Sequence, residues 1–102
     1  MSNASFVAYV GEPDFHDGSI VSIEQNDSAV RVRVRGASGR FYIVAFNGVA
    51  ALRTNFAEGM ILYALSELRA EPPLRRFSFA KWDDDSDASL EVDAEGFSVI
   101  AD

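Results

Sequence analysis

The sequence predicts a mainly β domain, a single antiparallel sheet or a two-layer or partly closed β structure, and three observations predict it. The segment Ala29 to Arg35 alternates strictly, with Val30, Val32 and Val34 on one side and Arg31, Arg33 and Arg35 on the other. That period of two, built from β-branched residues, belongs to a half-buried strand, because a helix would scatter the valines around its circumference. Turn-forming pairs and clusters of Gly, Pro, Asn and Asp punctuate the chain at short intervals. Finally, 102 residues that are 48% hydrophobic and contain no cysteine fit one domain with one core, held without disulfides.

Met1 to Ala4 is small and polar, and residues 1–5 are expected to fray. Phe6 to Val10 reads as a first strand, ended by the turn Gly11-Glu12-Pro13-Asp14, since proline presets the turn dihedral and lacks a ladder donor. After Phe15-His16-Asp17-Gly18 comes a second alternating segment: Ile20, Ser22 and Glu24 against Val21, Ile23 and Gln25. A two-residue turn at Asp27-Ser28 places Ile23 opposite Val32, Val21 opposite Val34 and Glu24 opposite Arg31. A one-residue slip would set valine against glutamate. Gly36 to Gly39 is the next turn. Closed symmetrically, it pairs Val34 with Phe41, Val32 with Ile43 and Val30 with Ala45. The expected core face is then Val21, Ile23, Val30, Val32, Val34, Phe41 and Ile43, with Arg31, Arg33, Tyr42, Val44 and Phe46 on the other face.

Asn47-Gly48 ends this meander, and Val49 to Leu52 reads as a short irregular piece. Asn55 to Ala70 has two readings. Asn55 with Glu58 could cap a helix, giving an α+β alternative with one helix at about 55–70. Gly59 and the uninterrupted apolar run Met60 to Leu65 favour a buried strand over about Ile61 to Leu68, which is the preferred reading. Glu71-Pro72-Pro73 turns the chain into a strand from Arg75 to Trp82, with Phe77 and Phe79 on one face. Leu90 to Ala94 and Phe97 to Ile100 then form one bulged strand or a tight hairpin around Glu95-Gly96.

A net charge of −7 argues against nucleic-acid binding, because phosphates would repel it, and permits a basic partner. The apolar runs fall well short of the roughly 18 residues that span a membrane. The absence of cysteine suits a reducing cytoplasm. The chain carries no phosphate-binding loop, zinc spacing or nucleophile motif, so no cofactor, metal or catalytic residue is assigned.

His16-Asp17 resembles, in that one dipeptide, the metal-dependent HD phosphohydrolases. Those recruit further histidines from several helices, whereas this chain has one histidine. The structural role is simpler: Asp17 caps nearby N–H groups and Gly18 takes an unusual dihedral. As a general base His16 would need a positioned partner, and Ser19 and Ser22 lack the nucleophile setting. Asp83 to Asp87 resembles the start of a calcium loop, but Ala88 and Ala94 stand where its glycine and bidentate glutamate belong. The stripe Arg31, Arg33 and Arg35, with Arg40 beyond the turn and Tyr42 within stacking reach of Arg33, is a candidate surface for an acidic group. Among eight Phe, three Tyr and one Trp, any of Tyr42, Phe46 and Trp82 left exposed would mark a partner or dimer interface.

Two segments, Phe15-His16-Asp17-Gly18-Ser19-Ile20 and Phe46-Asn47-Gly48-Val49-Ala50-Ala51-Leu52, together resemble a group of small bacterial β-rich domains. Some of these sit among the immunity-protein families of toxin systems, the Imm50-like group among them; Phe77-Ser78-Phe79 and Leu90-Glu91-Val92 fit the group's strand order. The resemblance implies a mainly β cytoplasmic protein and transfers no catalytic residues. The functional expectation is a non-enzymatic protein-interaction domain, of immunity type in its sharper form, with a protein partner or self-association. The alternative is a small-molecule binder or hydrolytic enzyme using the His16/Asp17 loop.

Overall fold

Val30, Val32 and Val34 are fully buried, and the strand that carries them lies in a two-layer β structure. The computed structural model describes residues 6–82 and 87–102. Its strands are β1 (Phe6–Tyr9), β2 (Ser19–Asn26), β3 (Ala29–Arg35), β4 (Phe41–Asn47), β5 (Ala51–Asn55), β6 (Leu62–Leu68), β7 (Arg75–Lys81), β8 (Ser89–Ala94) and β9 (Gly96–Ala101). They form two antiparallel sheets, one ordered β1-β6-β7-β8-β5 and the other β2-β3-β4-β9. Among the described residues there is no α-helix, only a 3-10 turn at Pro13–Phe15. The segment read as strand or helix is the strand β6; Gly59 before it takes φ +88°, in the left-handed region that interrupts a helix.

The β2–β3 hairpin follows the expected register at its tip, with Ile23 opposite Val32 and Glu24 opposite Arg31. Further down it departs. Ile20, not Val21, faces Val34, because the ladder is interrupted between Ile20 and Ser22 and Val21 is the extra residue of a bulge, 40% exposed. The cause lies on the other edge of β2. Ile20 exchanges backbone hydrogen bonds with the 59–60 segment, Gly59 N donating to Ile20 O at 2.7 Å and Ile20 N to Met60 O at 3.1 Å. One short stretch serves two neighbours, and the bulge reconciles their registers.

The β3–β4 connection corrects the second half of the expected core. Gly36 N donates to Arg40 O at 2.7 Å, so the loop is the three residues Ala37-Ser38-Gly39, with Gly39 at φ +93°. That is the turn-plus-left-handed-residue geometry of three-residue hairpins. Against the symmetric closure, the partners move by one residue: Val34 faces Tyr42, Val32 faces Val44 and Val30 faces Phe46. A shift of one turns every side chain over. Tyr42, Val44 and Phe46 are therefore buried, while Phe41 and Ile43 sit on the outer face, only partly covered.

Two further expectations change. The supposedly irregular piece after Asn47-Gly48 leads into β5, an edge strand paired with β8, Leu52 opposite Val92. The last two strands do not form a hairpin or one bulged strand. β8 joins the five-stranded sheet and β9 the four-stranded one, beside β4. The chain changes layer at Glu95, whose N–H donates to Asn47 O at 3.0 Å. Both strands carry apolar residues that must reach the same interlayer, and they reach it from opposite sides.

The core lies between the sheets. Phe46 stands 5.2 Å from Phe77 and 6.1 Å from Phe79, and Phe77 stands 4.8 Å from Phe97. Phe15 packs edge-on against Tyr42 at 5.3 Å at one end. Burial of each such ring stabilises the fold by roughly 1.5–3 kcal/mol. On the outside of the five-stranded sheet, Asp93, only 8% exposed, accepts from Arg76 Nε at 2.8 Å and from Arg53 Nη2 at 2.9 Å. Arg53 also reaches Glu91, and Arg75 holds Glu67 through two bonds of 2.9 and 2.7 Å. The charged residues of β5, β7 and β8 are thus largely committed to one another.

The register of β4 makes an unequal pair of alanine substitutions. Phe46→Ala should cost about 3–5 kcal/mol, the price of an interlayer cavity, and Phe41→Ala about 1 kcal/mol, the loss of a partly covered ring. Denaturant unfolding of both variants measures the difference; equal costs, or the reverse order, would put β4 the other way up.

Candidate interaction site

The chain from Gly11 to Gly18 is a tightly anchored corner. Pro13 opens the 3-10 turn, Phe15 N donates to Glu12 O at 3.0 Å, and the Phe15 ring is fully buried. Asp14 ties the corner to the β3–β4 loop. Its carboxylate accepts from Ser38 N (3.0 Å), Ser38 Oγ (2.6 Å) and Tyr42 OH (3.0 Å), and its carbonyl from Ala37 N (2.9 Å). The fit leaves no room for a side chain at residue 36, where a Cβ would fall 2.0 Å from Asp14 Oδ2; this is one reason for Gly36. The hydroxyl bond from Ser38 does most to hold the Asp14 carboxyl below its ordinary value; burial opposes it, and the Ser38 N–H and Tyr42 bonds add to the lowering. Tyr42 moves the other way: burial first, then the Asp14 carboxylate, hold its phenol above the usual range.

Asp17 takes φ +68°, a conformation aspartate tolerates better than most residues, and its N–H donates to Leu62 O at 2.9 Å. Between buried Phe15 and tethered Asp17, His16 is left exposed. Its ring lies 5.3 Å from Tyr63 and 5.0 Å from Trp82, and Tyr63 lies 4.9 Å from Trp82. Tyr9 joins at 6.0 Å from Tyr63, and Phe6 at 5.0 Å from Tyr9. All these pairs meet edge to face, with interplanar angles of 64–86°, the arrangement ring quadrupoles favour. A ladder interruption between Leu62 and Ala64 frees Tyr63 from the alternation and leaves it on the surface. Tyr9 is 59%, Trp82 46% and Tyr63 37% exposed. Beside them opens a cleft of about 360 Å³ lined by Tyr9, Glu12, Pro13, His16 and Tyr63.

The residues singled out in the sequence are dispersed. His16 belongs to this aromatic corner. Asp17 is its neighbour in the chain but does not line the cleft. Arg31 and Arg33 lie on the outer face of the four-stranded sheet, around a shallow depression of about 190 Å³ shared with Ser22, Glu24 and Ile43. Arg33 stacks on Phe41, its guanidinium carbon 4.4 Å from the ring centre, and pairs with Asp102 at 3.0 Å. It does not stack on Tyr42, because the one-residue shift sends Tyr42 inward to Asp14 and brings Phe41 outward. Of the three aromatics proposed as interface markers, Trp82 is exposed while Tyr42 and Phe46 are core. Tyr9 and Tyr63 were not singled out by sequence reasoning; the signal that bore on Tyr63 was a tyrosine inside an otherwise hydrocarbon-like run.

Of the calcium-loop candidate Asp83 to Asp87, residues 83–86 lie outside the described residues. Among those described, no three His, Asp or Glu side chains gather as a metal site, and no helix is long and apolar enough to cross a membrane. A second opening, about 560 Å³, lies between the sheet edges at β2 and β5, lined by Ile23, Leu52, Ala57 and Phe56 among others. Phe56 is 83% exposed at φ +50°. No protein-family model, curated protein or solved structure matches the chain.

The Asp14 tether carries a pH signature. A carboxyl whose folded value lies below its ordinary 3.8 stabilises the fold fully above the unfolded value, and the benefit drains away as pH falls through 3.8 and below. Asp93 and Glu67, lowered chiefly by Arg76 and Arg75 respectively, act in the same direction. The melting temperature should therefore hold steady from pH 7 to about 5 and then fall on acidification. Asp14→Asn should melt lower at neutral pH and lose part of that acid limb; an unchanged acid limb in Asp14→Asn would separate the tether from stability.

Proposed function

We propose that this chain is a non-enzymatic, cytoplasmic protein-interaction domain, and that the aromatic corner of His16, Tyr63, Trp82 and Tyr9 is its contact surface. One observation carries the reading: four mutually braced rings stay in water beside a cleft, although the interlayer that the sheets enclose is built from other aromatics. Tyr and Trp in contiguous exposed clusters supply large contact area at low entropic cost, and such residues dominate binding energy at protein interfaces. The edge-to-face contacts and the anchored 11–18 corner preorganise them, which lowers the ordering cost of binding.

In its sharper form the reading is toxin neutralisation, the role of some members of the group of small bacterial β-rich domains that the sequence resembles. A chain of net charge −7 would approach a basic toxin quickly, since complementary fields accelerate encounter. The competing catalytic reading rests on His16 in the cleft with Glu12 as the acid among the lining residues. Self-association is supported by a separate observation, the exposed Phe56 between the sheet ends at β2 and β5.

Selection of a random displayed-peptide library on the folded domain tests the main reading. Enriched peptides should lose at least tenfold in affinity for the Tyr63→Ser and Trp82→Ser variants, which circular dichroism should show to be folded, and mass spectrometry should recover the peptides intact. Peptides that bind both variants unimpaired would contradict the assignment of the surface, and cleaved or modified peptides would favour the enzyme.

A further inference from the structure

The aromatic cleft has a chemistry more specific than an apolar contact. Resting on the interaction reading above, we propose that it receives an arginine side chain from a basic segment of the partner protein. Glu12 supplies a carboxylate to the lining, and no lysine or arginine is among the described residues that line it. Tyr9 and Tyr63 add π-systems whose faces attract cations, and a guanidinium can stack on a ring while its N–H groups remain free to reach a carboxylate. An ammonium carries the same charge but has neither a flat face to stack on a ring nor a fork to grip a carboxylate through two parallel bonds.

The rest of the molecule supports a cationic visitor over an anionic one. The net charge is −7. Several of the chain's own cations are already committed: Arg53 and Arg76 to Asp93, Arg75 to Glu67, Arg33 to Asp102. The remaining stripe, Arg31 and Arg35, stands on β3 of the four-stranded sheet, whereas Tyr9 and Tyr63 belong to β1 and β6 of the other sheet. The same stacking is present inside the chain, where Arg33 lies over Phe41 at 4.4 Å and Arg75 over Phe77 at 5.1 Å. At about 360 Å³ the cleft is at the lower end of the size range that takes small organic ligands, enough for a guanidinium and its stem and far more than a lone inorganic cation fills.

The chain's single tryptophan makes the site self-reporting, because Trp82 touches both His16 and Tyr63 of the lining. The test titrates acetyl-Gly-Arg-Gly-Arg-Gly-amide, and its twin with both arginines replaced by neutral citrulline, against the folded chain while following Trp82 emission. The arginine peptide should change the emission saturably and bind at least fivefold tighter than the citrulline peptide. Glu12→Gln, a substitution on an exposed turn, should weaken the arginine peptide about threefold or more and leave the citrulline peptide unchanged. Equal binding of the two peptides, or no change with either, would overturn the arginine assignment. Library-selected peptides that still depend on Tyr63 would then keep the contact surface standing, whereas selected peptides indifferent to Tyr63 would remove the surface itself.

Discussion

Phe46 meets three rings from two other strands, Phe77 and Phe79 of β7 in the facing sheet and Phe97 of β9 in its own, and the architecture depends on that shared interlayer. Two sheets of this size each have one apolar face, and neither can stay folded with that face in water. Once Phe46 is inside, Val44 and Tyr42 follow on alternate positions, and β9 must lie beside β4 to bring Phe97 into the same layer. The crossing at Glu95 is the consequence: β8 completes one layer with Leu90 and Val92, and a single residue later the chain starts the other. Hydrogen bonds and ion pairs on the outside add to this but do not replace it, because exposed arginine–carboxylate pairs stabilise by only about 0–1 kcal/mol each.

The aromatic corner is a by-product of how the layers are joined at one end. The beginning of β2 pairs on one side with β3 and on the other with residues 59–62. Serving both partners forces bulges, at Val21 in β2 and at Tyr63 in β6, and each bulge leaves a large side chain facing water. At Val21 that costs some burial. At Tyr63 it creates the centre of a cluster, since His16, projected by the Asp14-anchored corner, and Trp82, at the end of β7, come to rest against the same ring. The same local irregularity that a regular sheet would avoid supplies the rigid, exposed surface on which the functional reading stands.

Much of the fold was legible because alternation reports directly on burial. The β3 valines, the Asp27-Ser28 turn, the strand nature of Leu62–Leu68 and the buried pair Phe77 and Phe79 all follow from side-chain period and turn chemistry. Loop length was less legible: Gly36-Ala37-Ser38-Gly39 is compatible with a loop of either parity, and what favours the observed one lies outside the loop, in the Asp14 tether, 24 residues away from Ser38, and in the burial of Phe46 between the sheets. A β4 strand apolar on both faces gave no warning, since Phe41 and Ile43 look as suited to a core as Tyr42 and Val44. The β8–β9 crossing was hidden for a similar reason, because Glu95-Gly96 is good turn chemistry whether the strands pair or part. Of the candidate site, His16 and Trp82 were visible as residues worth following. Their meeting with Tyr63 and Tyr9 was not, because it depends on a bulge and on contacts between strands distant in sequence.

The partition of the last two strands between layers decides whether the two-sheet arrangement closes. Nuclear Overhauser spectroscopy on the isotopically labelled chain reads it directly. The two-layer arrangement predicts cross-strand backbone contacts between Val44 and Val99 and between Leu52 and Val92. Backbone contacts between Val92 and Val99, as a hairpin around Glu95-Gly96 would produce, would contradict it.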